Sequence, residues 1–346
     1  RSDDWASALA ESNAAFSRSA AACSSGRLPN SSSPSIVKKP YRWKGEKSAV
    51  KKASHIGAAN RQQNRGFALF TVPGFLLYCA FFITPVIMGI YYSLTDWDGV
   101  TRKFNFNGLE NYGKLLQNKQ FYNSLLFTFQ YTILLIFFTV VLAVMLALLL
   151  NRKIKGLAFF RSMYFIPAVL SMLTVGLIFK QLYYHVVPAI GQTLGIEALS
   201  QNPLSDSALA IWAILFVNLW QGLPIPTLLF LAGLQGIPTD LYEAAALDGA
   251  SAWQRFRTNT IPFLMPVLSV VLVLTLKSGL MVFDYIMSMT EGGPGTATQS
   301  VAYMIYLHGF TQNKYAYSIA EAIVIGIIIA LISAVQIYFT NKKKAV

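Results

Sequence analysis

The sequence has few charged residues. Asp, Glu, Lys and Arg make up 12% of its 346 residues, whereas soluble domains carry about 25%. Hydrophobic residues make up 54%, and the mean hydropathy is +0.47. This composition excludes an ordinary soluble domain and indicates an integral membrane protein.

Cysteine and histidine are also scarce. The two cysteines are Cys23, near the N-terminus, and Cys79, inside an apolar segment, so we expect no disulfide. The three histidines are His55, in the basic tail, and His185 and His308, in segments we interpret as outer loops. No metal-ligand spacing connects them, and we expect none of them to be buried. With few and scattered carboxylates, the sequence predicts no catalytic residues, no metal site and no membrane enzyme.

A functional phosphate-binding loop is missing. Gly108, Gly113 and Lys114 fit the spacing of such a loop, but Leu115 stands where Ser or Thr should bind Mg²⁺. No predicted strand precedes the motif. We therefore expect that the chain does not hydrolyse ATP by itself and holds no cofactor.

Long apolar segments dominate the rest of the chain. A membrane-spanning helix needs about 20 mostly apolar residues, and these segments are too long and too weakly alternating for barrel strands. The sequence predicts an all-α integral membrane protein with six transmembrane helices. The expected spans are 68–94, 122–150, 157–181, 206–234, 260–286 and 317–340.

The basic residues predict the orientation. The chain carries a net charge of +13, much of it in residues 1–67, which we expect to form a disordered cytoplasmic tail. If the N-terminus is inside, the inner regions 1–67, 151–156, 235–259 and 341–346 hold most of the 28 Lys and Arg. This distribution favours cytoplasmic N- and C-termini in a multi-pass membrane protein. It explains the basic charge without a nucleic-acid partner.

The inner region 235–259 is short, charged and rich in alanine. Asp240 is predicted to cap a helix, with Glu243 completing a capping box. Gly249 suits the position just after that helix, and residues 250–257 can begin a second short helix before Pro262 opens the next span. We expect a thin helix-turn-helix that fits a cleft of another protein. The alternative is an amphipathic helix on the membrane surface, but residues 243–250 offer no apolar stripe beyond alanine.

This segment resembles the cytoplasmic coupling loop of ABC importer permeases. Glu243-Ala-Ala245, Gly249 and the hydrophobic-Pro pair 261–262 fit that motif, and the longer form Glu-Ala-Ala-x-x-Asp-Gly-Ala resembles the carbohydrate-uptake branch. Asn259 stands where the family usually has Ile, so we expect a looser anchor at that point. Further matches are spread over 106–112, 121–124, 160–167, 220–224, 283–284 and 290–294, with Thr298.

The resemblance implies a six-helix permease in a bacterial cell membrane. It implies a second permease subunit, in a heterodimer, two ATP-binding subunits that hold ATP and Mg²⁺, and an extracytoplasmic solute-binding protein. The substrate would be a sugar or oligosaccharide. The residues expected to dock the ATPase are Glu243, Ala244, Ala245, Asp248, Gly249 and Arg255.

Polar residues in the spans beside this loop are candidates for the substrate path. Thr275, Ser278 and Gly279 share one helical face, and Lys277 could bind the carboxylate of an acidic sugar. The preceding span contributes Asn218, Gln221 and Gly222. We expect Lys277 and Asp284 to lie away from the Thr275 face, without pairing directly. The alternative for these polar residues is that they hold helices together.

The alternative function is a secondary transporter driven by an ion gradient. Such a transporter needs paired ionisable residues within its spans. Only Lys277 lies clearly inside one, and the sequence therefore favours the ABC importer permease.

Overall fold

The computed structural model describes residues 71–152 and 156–342. The expected basic tail, 1–67, lies outside these residues, as do the lysines of the inner turn at 153–155 and the last four residues. All packing given below is within residues 75–342.

The described residues fold into helices, with one isolated β-bridge, between Thr95 and Phe106. The helices are α1 Thr71–Ser93, α2 Glu110–Gln117, α3 Lys119–Leu150, α4 Leu157–Val169, α5 Met172–Leu194, α6 Ser207–Gly222, α7 Pro224–Gln235, α8 Thr239–Leu247, α9 Ala252–Leu280, α10 Asp284–Met289, α11 Val301–Tyr306 and α12 Tyr315–Lys342. Turns of π-helix occur at Cys79–Ile83, Leu182–Val186, Phe256–Thr260 and Leu307–Thr311, and 3-10 turns at Glu197–Leu199 and Pro203–Ser205.

Five of these helices are long and apolar enough to cross a membrane: α1, α3, α5, α9 and α12. Helices α6 and α7 meet at a bend of 48° and count as a sixth span if they cross together. Pro224 opens α7 at this bend, where its missing N–H and its ring disfavour a straight helix. The predicted class, an all-α membrane protein, is confirmed.

The third expected span, 157–181, is wrong in its boundaries. Helix α4 ends at Val169, and Leu170 and Ser171 are extended, so the uninterrupted apolar helix is α5. Pro167, three residues before the break, has no N–H for the helical hydrogen bond. His185, which we expected in a loop, therefore lies in the π turn of α5.

The fifth expected span, 260–286, also differs from the structure at both ends. Helix α9 begins at Ala252, so the second short helix of the predicted loop and the span are one helix, and Pro262 lies inside it. A π turn at Phe256–Thr260 precedes Pro262, where a regular α-helical bond is unavailable. The helix ends at Leu280, and α10 begins only at Asp284.

Helix α3 is the centre of the packing. Helices α7 and α9 both lie along it and bury a cluster that includes Ala143, Phe230, Leu264 and Val271. A second cluster joins α3 to α5, α6 and α10 around Tyr131, Ile214, Val217, Ile286 and Met289. A third joins α2, α3, α11 and α12 around Leu115, Phe121, Val301, Met304 and Ile325.

Candidate substrate path and docking hairpin

Helix α8 and the start of α9 form a helical hairpin, residues 239–260, which we call the α8–α9 hairpin. Gly249 follows α8 with φ at +74°. Its N–H donates to the carbonyl of Ala246, at 3.1 Å, and the N–H of Ala250 donates to the carbonyl of Ala245, at 2.9 Å. These two bonds form a Schellman motif, so the predicted position of Gly249 just after the helix is confirmed.

The predicted cap at Asp240 is wrong. Helix α8 begins one residue earlier, at Thr239, and no side chain caps it. The capping box lies instead between Ser251 and Gln254, at the start of α9. Ser251 Oγ accepts from the Gln254 N–H at 3.3 Å, and the Ser251 N–H donates to Gln254 Oε1 at 2.7 Å. The Ser-x-x-Gln spacing was a readable signal for it, and this box starts α9 ten residues before Pro262.

The hairpin presents an exposed surface of mixed character. Of the six expected docking residues, Glu243, Ala244, Asp248 and Gly249 are exposed, and Ala245 and Arg255 are half-buried. Two large apolar side chains beside them were not predicted: Leu247 is 89% exposed and Trp253 67%. Large exposed apolar groups with a polar rim are typical of a protein-contact surface.

Two hydrogen bonds close the base of the hairpin. Tyr242 Oη and Thr260 Oγ1 lie 2.9 Å apart, and Asn259 Nδ2 donates to the carbonyl of Leu241 at 3.1 Å. Asn259, which we expected to loosen this anchor, contributes through its amide a bond that an aliphatic side chain lacks.

Two adjoining cavities lie between α6–α7 and the far end of α9. Their volumes are about 290 Å³ and 310 Å³, and Asn218, Ser278 and Tyr285 line both of them; we call them the Asn218 cavities. Every expected substrate-path residue except Gly279 lines one or both: Asn218, Gln221, Gly222, Thr275, Lys277 and Ser278. A few polar groups converging in a largely apolar cavity are typical of a small-molecule site.

Gly279 lies at a helix contact and lines neither of the Asn218 cavities. A Cβ added there would meet Thr132 Cγ2 and Oγ1 at 2.8 Å. The absence of a side chain at Gly279 therefore allows α9 to approach α3 closely, which is a common use of small residues between membrane helices.

Asn218 and Gln221 also hold the helices together. Asn218 Nδ2 donates to Tyr131 Oη at 2.7 Å. Gln221 Nε2 donates to the carbonyl of Leu170 at 2.8 Å, and Gln221 Oε1 accepts from Tyr285 Oη at 2.9 Å. Gln221 thus satisfies a carbonyl freed by the break between α4 and α5, a task expected of polar side chains in apolar surroundings.

The charged end of the Asn218 cavities differs from the expectation. Lys277 and Asp284 line the same cavity as Ser278, because the break at residues 281–283 brings Asp284 back beside α9. No ion pair joins Lys277 to Asp284 in the described part of the chain. A cation and a carboxylate therefore both face this cavity.

Sequence reasoning missed the aromatic lining. Tyr285 lines both Asn218 cavities, and Phe283 lines the cavity that contains Lys277. Phe283 lies in the break after α9 and Tyr285 follows it, and hydropathy does not reveal this break. Their side chains add aromatic faces to a lining that also carries a few polar groups, a combination typical of small-molecule sites.

A buried ionisable pair was also missed. His308 Nδ1 lies 2.9 Å and 3.0 Å from the two carboxylate oxygens of Glu321, and both side chains are buried. The expectations that no histidine is buried, and that only Lys277 lies clearly inside a span, are therefore wrong. The partners are 13 residues apart, on either side of the start of α12, so no short sequence motif indicates the pair.

His308 lines a third cavity, of about 640 Å³, with a polar wall. Its amide residues are Asn107, Asn111, Asn118, Gln120, Gln312 and Asn313. Asp96 lies at its edge, and the N–H of Asn105 donates to the Asp96 carboxylate, which lowers the pKa of that carboxyl below its usual value. Asn111, Asn118 and Gln120 make hydrogen bonds within the protein, so much of this wall is structural.

The described residues form no candidate metal site. Nowhere in 71–152 or 156–342 do three His, Cys, Asp or Glu side chains come close enough to hold an ion.

Apolar helices around polar-lined cavities, with an exposed helical hairpin continuous with the cavity-lining helix α9, define a multi-pass membrane transport subunit. The family model described as "Binding-protein-dependent transport system inner membrane component" matches residues 140–344. The chain belongs to this family of ABC importer permeases, and it is a transport subunit rather than an enzyme.

Named relatives agree with this assignment. The multiple sugar-binding transport system permease protein MsmF of Streptococcus mutans is 43% identical over 277 residues, covering 80% of this chain and 95% of that protein. The probable starch degradation products transport system permease protein AmyD of Thermoanaerobacterium thermosulfurigenes is 34% identical over 276 residues, covering 80% and 94%.

A solved structure shows the same fold. The crystal structure of a bacterial ABC transporter that imports the acidic polysaccharide alginate matches with a TM-score of 0.70 and 20% identity. The match covers 82% of this chain and 99% of that one.

Proposed function

We propose that this permease subunit takes up sugars or oligosaccharides through the Asn218 cavities. The observation that carries the proposal is the convergence of Asn218, Ser278 and Tyr285 on one polar and aromatic site between two spans. Hydroxyl-rich ligands need such hydrogen-bonding groups beside aromatic faces. The names of the relatives, which refer to sugars and starch products, support the same substrate class.

The α8–α9 hairpin is the proposed docking site for an ATPase subunit. Its exposed Leu247 and Trp253 and its polar Glu243 and Asp248 suit a cleft in a soluble partner. The assembly we propose contains a second permease subunit, in a heterodimer, two ATP-binding subunits that hold ATP and Mg²⁺, and an extracytoplasmic solute-binding protein. This chain itself needs no cofactor.

The proposed orientation places the hairpin in the cytoplasm. The supporting observation is the excess of Lys and Arg in the regions that share its side of the membrane, including both termini. An ATPase in the cytoplasm then meets the hairpin, and a binding protein outside meets the opposite side.

Transport follows from a shift between two states. Closure of the ATPase subunits on ATP favours the hairpin position of one state, and substrate binding in the Asn218 cavities responds to the same change. A ligand shifts such an equilibrium only by its differential affinity for the two states. In this proposal, ATP changes the position of the hairpin, and that change alters substrate binding in the Asn218 cavities.

Reconstitution tests the proposal. The complete complex in lipid vesicles, with its binding protein, is expected to take up oligosaccharides only with ATP, and Glu243→Lys or Gly249→Pro should abolish uptake. Gly326→Ala is the control, since a Cβ there meets no atom within 4 Å. Failure of any ATPase to co-purify, or full uptake by both hairpin variants, would contradict the docking role. ATP-independent uptake that collapses with an ionophore would instead favour an ion-driven transporter.

A further inference from the structure

We infer that Asn259, together with Tyr242 and Thr260, is a positioning residue for coupling: the three side chains clasp α8 to α9, so that the hairpin and the cavity-lining helix move as one arm. The two bonds of the clasp join Asn259 to Leu241 and Tyr242 to Thr260. The inference deepens the proposed function and rests on it, since the arm needs a docked ATPase to move it.

The two bonds are in register. Leu241 and Tyr242 are adjacent near the start of α8, and their partners are adjacent in α9, at a sequence separation of 18 in each pair. Thr260 is buried, and Tyr242 is half-buried against the cluster that α3, α7 and α9 share. The clasp therefore lies at the base of the hairpin, where it enters the bundle.

Without the clasp, α8 would be joined to α9 by the turn at residues 248–251 and by the apolar packing of Tyr242. That turn contains Gly249 at positive φ and no helical residue, so it can act as a hinge. Two bonds across the base of the hairpin oppose rotation about this turn. The exposed contact surface near Leu247 is then held at a fixed angle to α9.

The clasp also involves the π turn of α9. Asn259 and Thr260 belong to the π turn Phe256–Thr260, where the regular helical bonding pattern changes. From Thr260 the helix continues without a break to Thr275 and Ser278 in the Asn218 cavities. At about 1.5 Å per residue, a displacement at the clasp is carried over about 22 Å before it reaches Thr275.

Asn259→Asp is the sharpest variant, because it keeps the size of the side chain and removes the amide donor. Tyr242→Phe removes the second bond. The matched control is Ser269→Ala, which deletes a hydroxyl that bonds only to the carbonyl of Met265 within α9. In the reconstituted complex, we expect each clasp variant to lower substrate transported per ATP hydrolysed by about two- to tenfold, the range that loss of one hydrogen bond supports.

ATPase co-purification is measured in the same samples. Clasp variants that retain the ATPase but transport less per ATP support the inference, and an unchanged ratio overturns it. If the wild-type protein binds no ATPase, the proposed docking role is wrong. If the wild-type complex forms but the clasp variants transport as much substrate per ATP as the wild type, only the clasp inference is wrong.

A second measurement needs no partner subunit. Spin labels at Leu247→Cys and Met265→Cys, in a chain whose Cys23 and Cys79 are replaced by serine, report the distance between the hairpin tip and α9. We expect a narrow distance distribution that broadens in Asn259→Asp and in Tyr242→Phe, and not in Ser269→Ala. Equal widths in all of them would overturn the clasp even if the variants assemble poorly.

Discussion

Replacing Gly279 by alanine should destabilise the protein, although alanine is the better helix former. The new Cβ would lie 2.8 Å from Thr132 Cγ2 and Oγ1 and 3.0 Å from Thr132 Cα. The threonine side chain can rotate away, but its backbone cannot, so the new methyl group pushes α3 and α9 apart. Overpacking of this kind costs about 1–3 kcal/mol, which exceeds the gain of about 0.5–1 kcal/mol that replacing a helical glycine by alanine brings.

A compensating substitution tests the cause. Thr132→Ala removes Cγ2 and Oγ1 but leaves the backbone of residue 132 in place, so the double variant should recover part of the loss. The single Thr132→Ala variant measures the separate cost of losing the 2.6 Å bond from Thr132 Oγ1 to the carbonyl of Thr128. Side chains that touch show interaction energies of about 0.5–3 kcal/mol in such cycles.

The assay is thermal unfolding of the four proteins in one lipid or detergent, with Gly326→Ala as the control for helix propensity. Gly326 lies in α12 with no atom within 4 Å of its added Cβ. Equal midpoints for Gly279→Ala and Gly326→Ala, or strictly additive effects of the Gly279 and Thr132 substitutions, would refute the packing argument. If Gly279→Ala kept its normal stability but lost sugar uptake, Gly279 would be assigned to the substrate path instead.

Three further predictions concern the charged groups and the hairpin. Glu321→Ala leaves His308 Nδ1 without its partner and should lower the stability by about 1–3 kcal/mol; an unchanged unfolding midpoint would show that the pair is dispensable. Lys277→Ala should reduce uptake of acidic oligosaccharides more than uptake of neutral ones, because Lys277 faces the cavity, and equal effects on both would exclude carboxylate recognition. Ser251→Ala removes the capping box and should cost about 1 kcal/mol, seen as faster amide exchange at residues 252–256, with no change expected at α12.

The membrane class of the fold was readable because a bilayer selects composition directly: a span must be apolar over about 20 residues. Where a helix stops inside an apolar stretch was not readable. Leu170 and Met281 lie at breaks, yet their immediate neighbours Val169, Leu280 and Val282 are apolar. At the first break Pro167 gave a signal, whereas at the second the nearby polar residues Lys277, Ser278 and Asp284 did not mark where the helix ends.

The site was predictable to the extent that polar side chains are rare in spans. Asn218, Thr275 and Ser278 stand out from apolar neighbours, and the structure brings them to adjoining cavities. Tyr285 looks like any interfacial aromatic until the break before α10 turns it inward. The His308–Glu321 pair depends on the packing of α12 against the preceding π turn, which is tertiary information absent from local spacing.

Pro262 was the residue that concealed how the hairpin and the cavities are connected. Interpreted as a helix-opening residue, Pro262 divides the sequence into a loop and a span. In the structure, the capping box at Ser251 starts α9 earlier, and the helix continues through the π turn to Pro262 and beyond. The turn at 248–251 and the break at 281–283 can change angle more readily than α9, which is continuous and whose π turn carries the clasp. Since the clasp restrains the first of these, a movement imposed on the hairpin must be relieved mainly at the second. That break carries Phe283 and leads directly into Asp284 and Tyr285, which line the Asn218 cavities, so we expect the shape of these cavities to change where the helix ends.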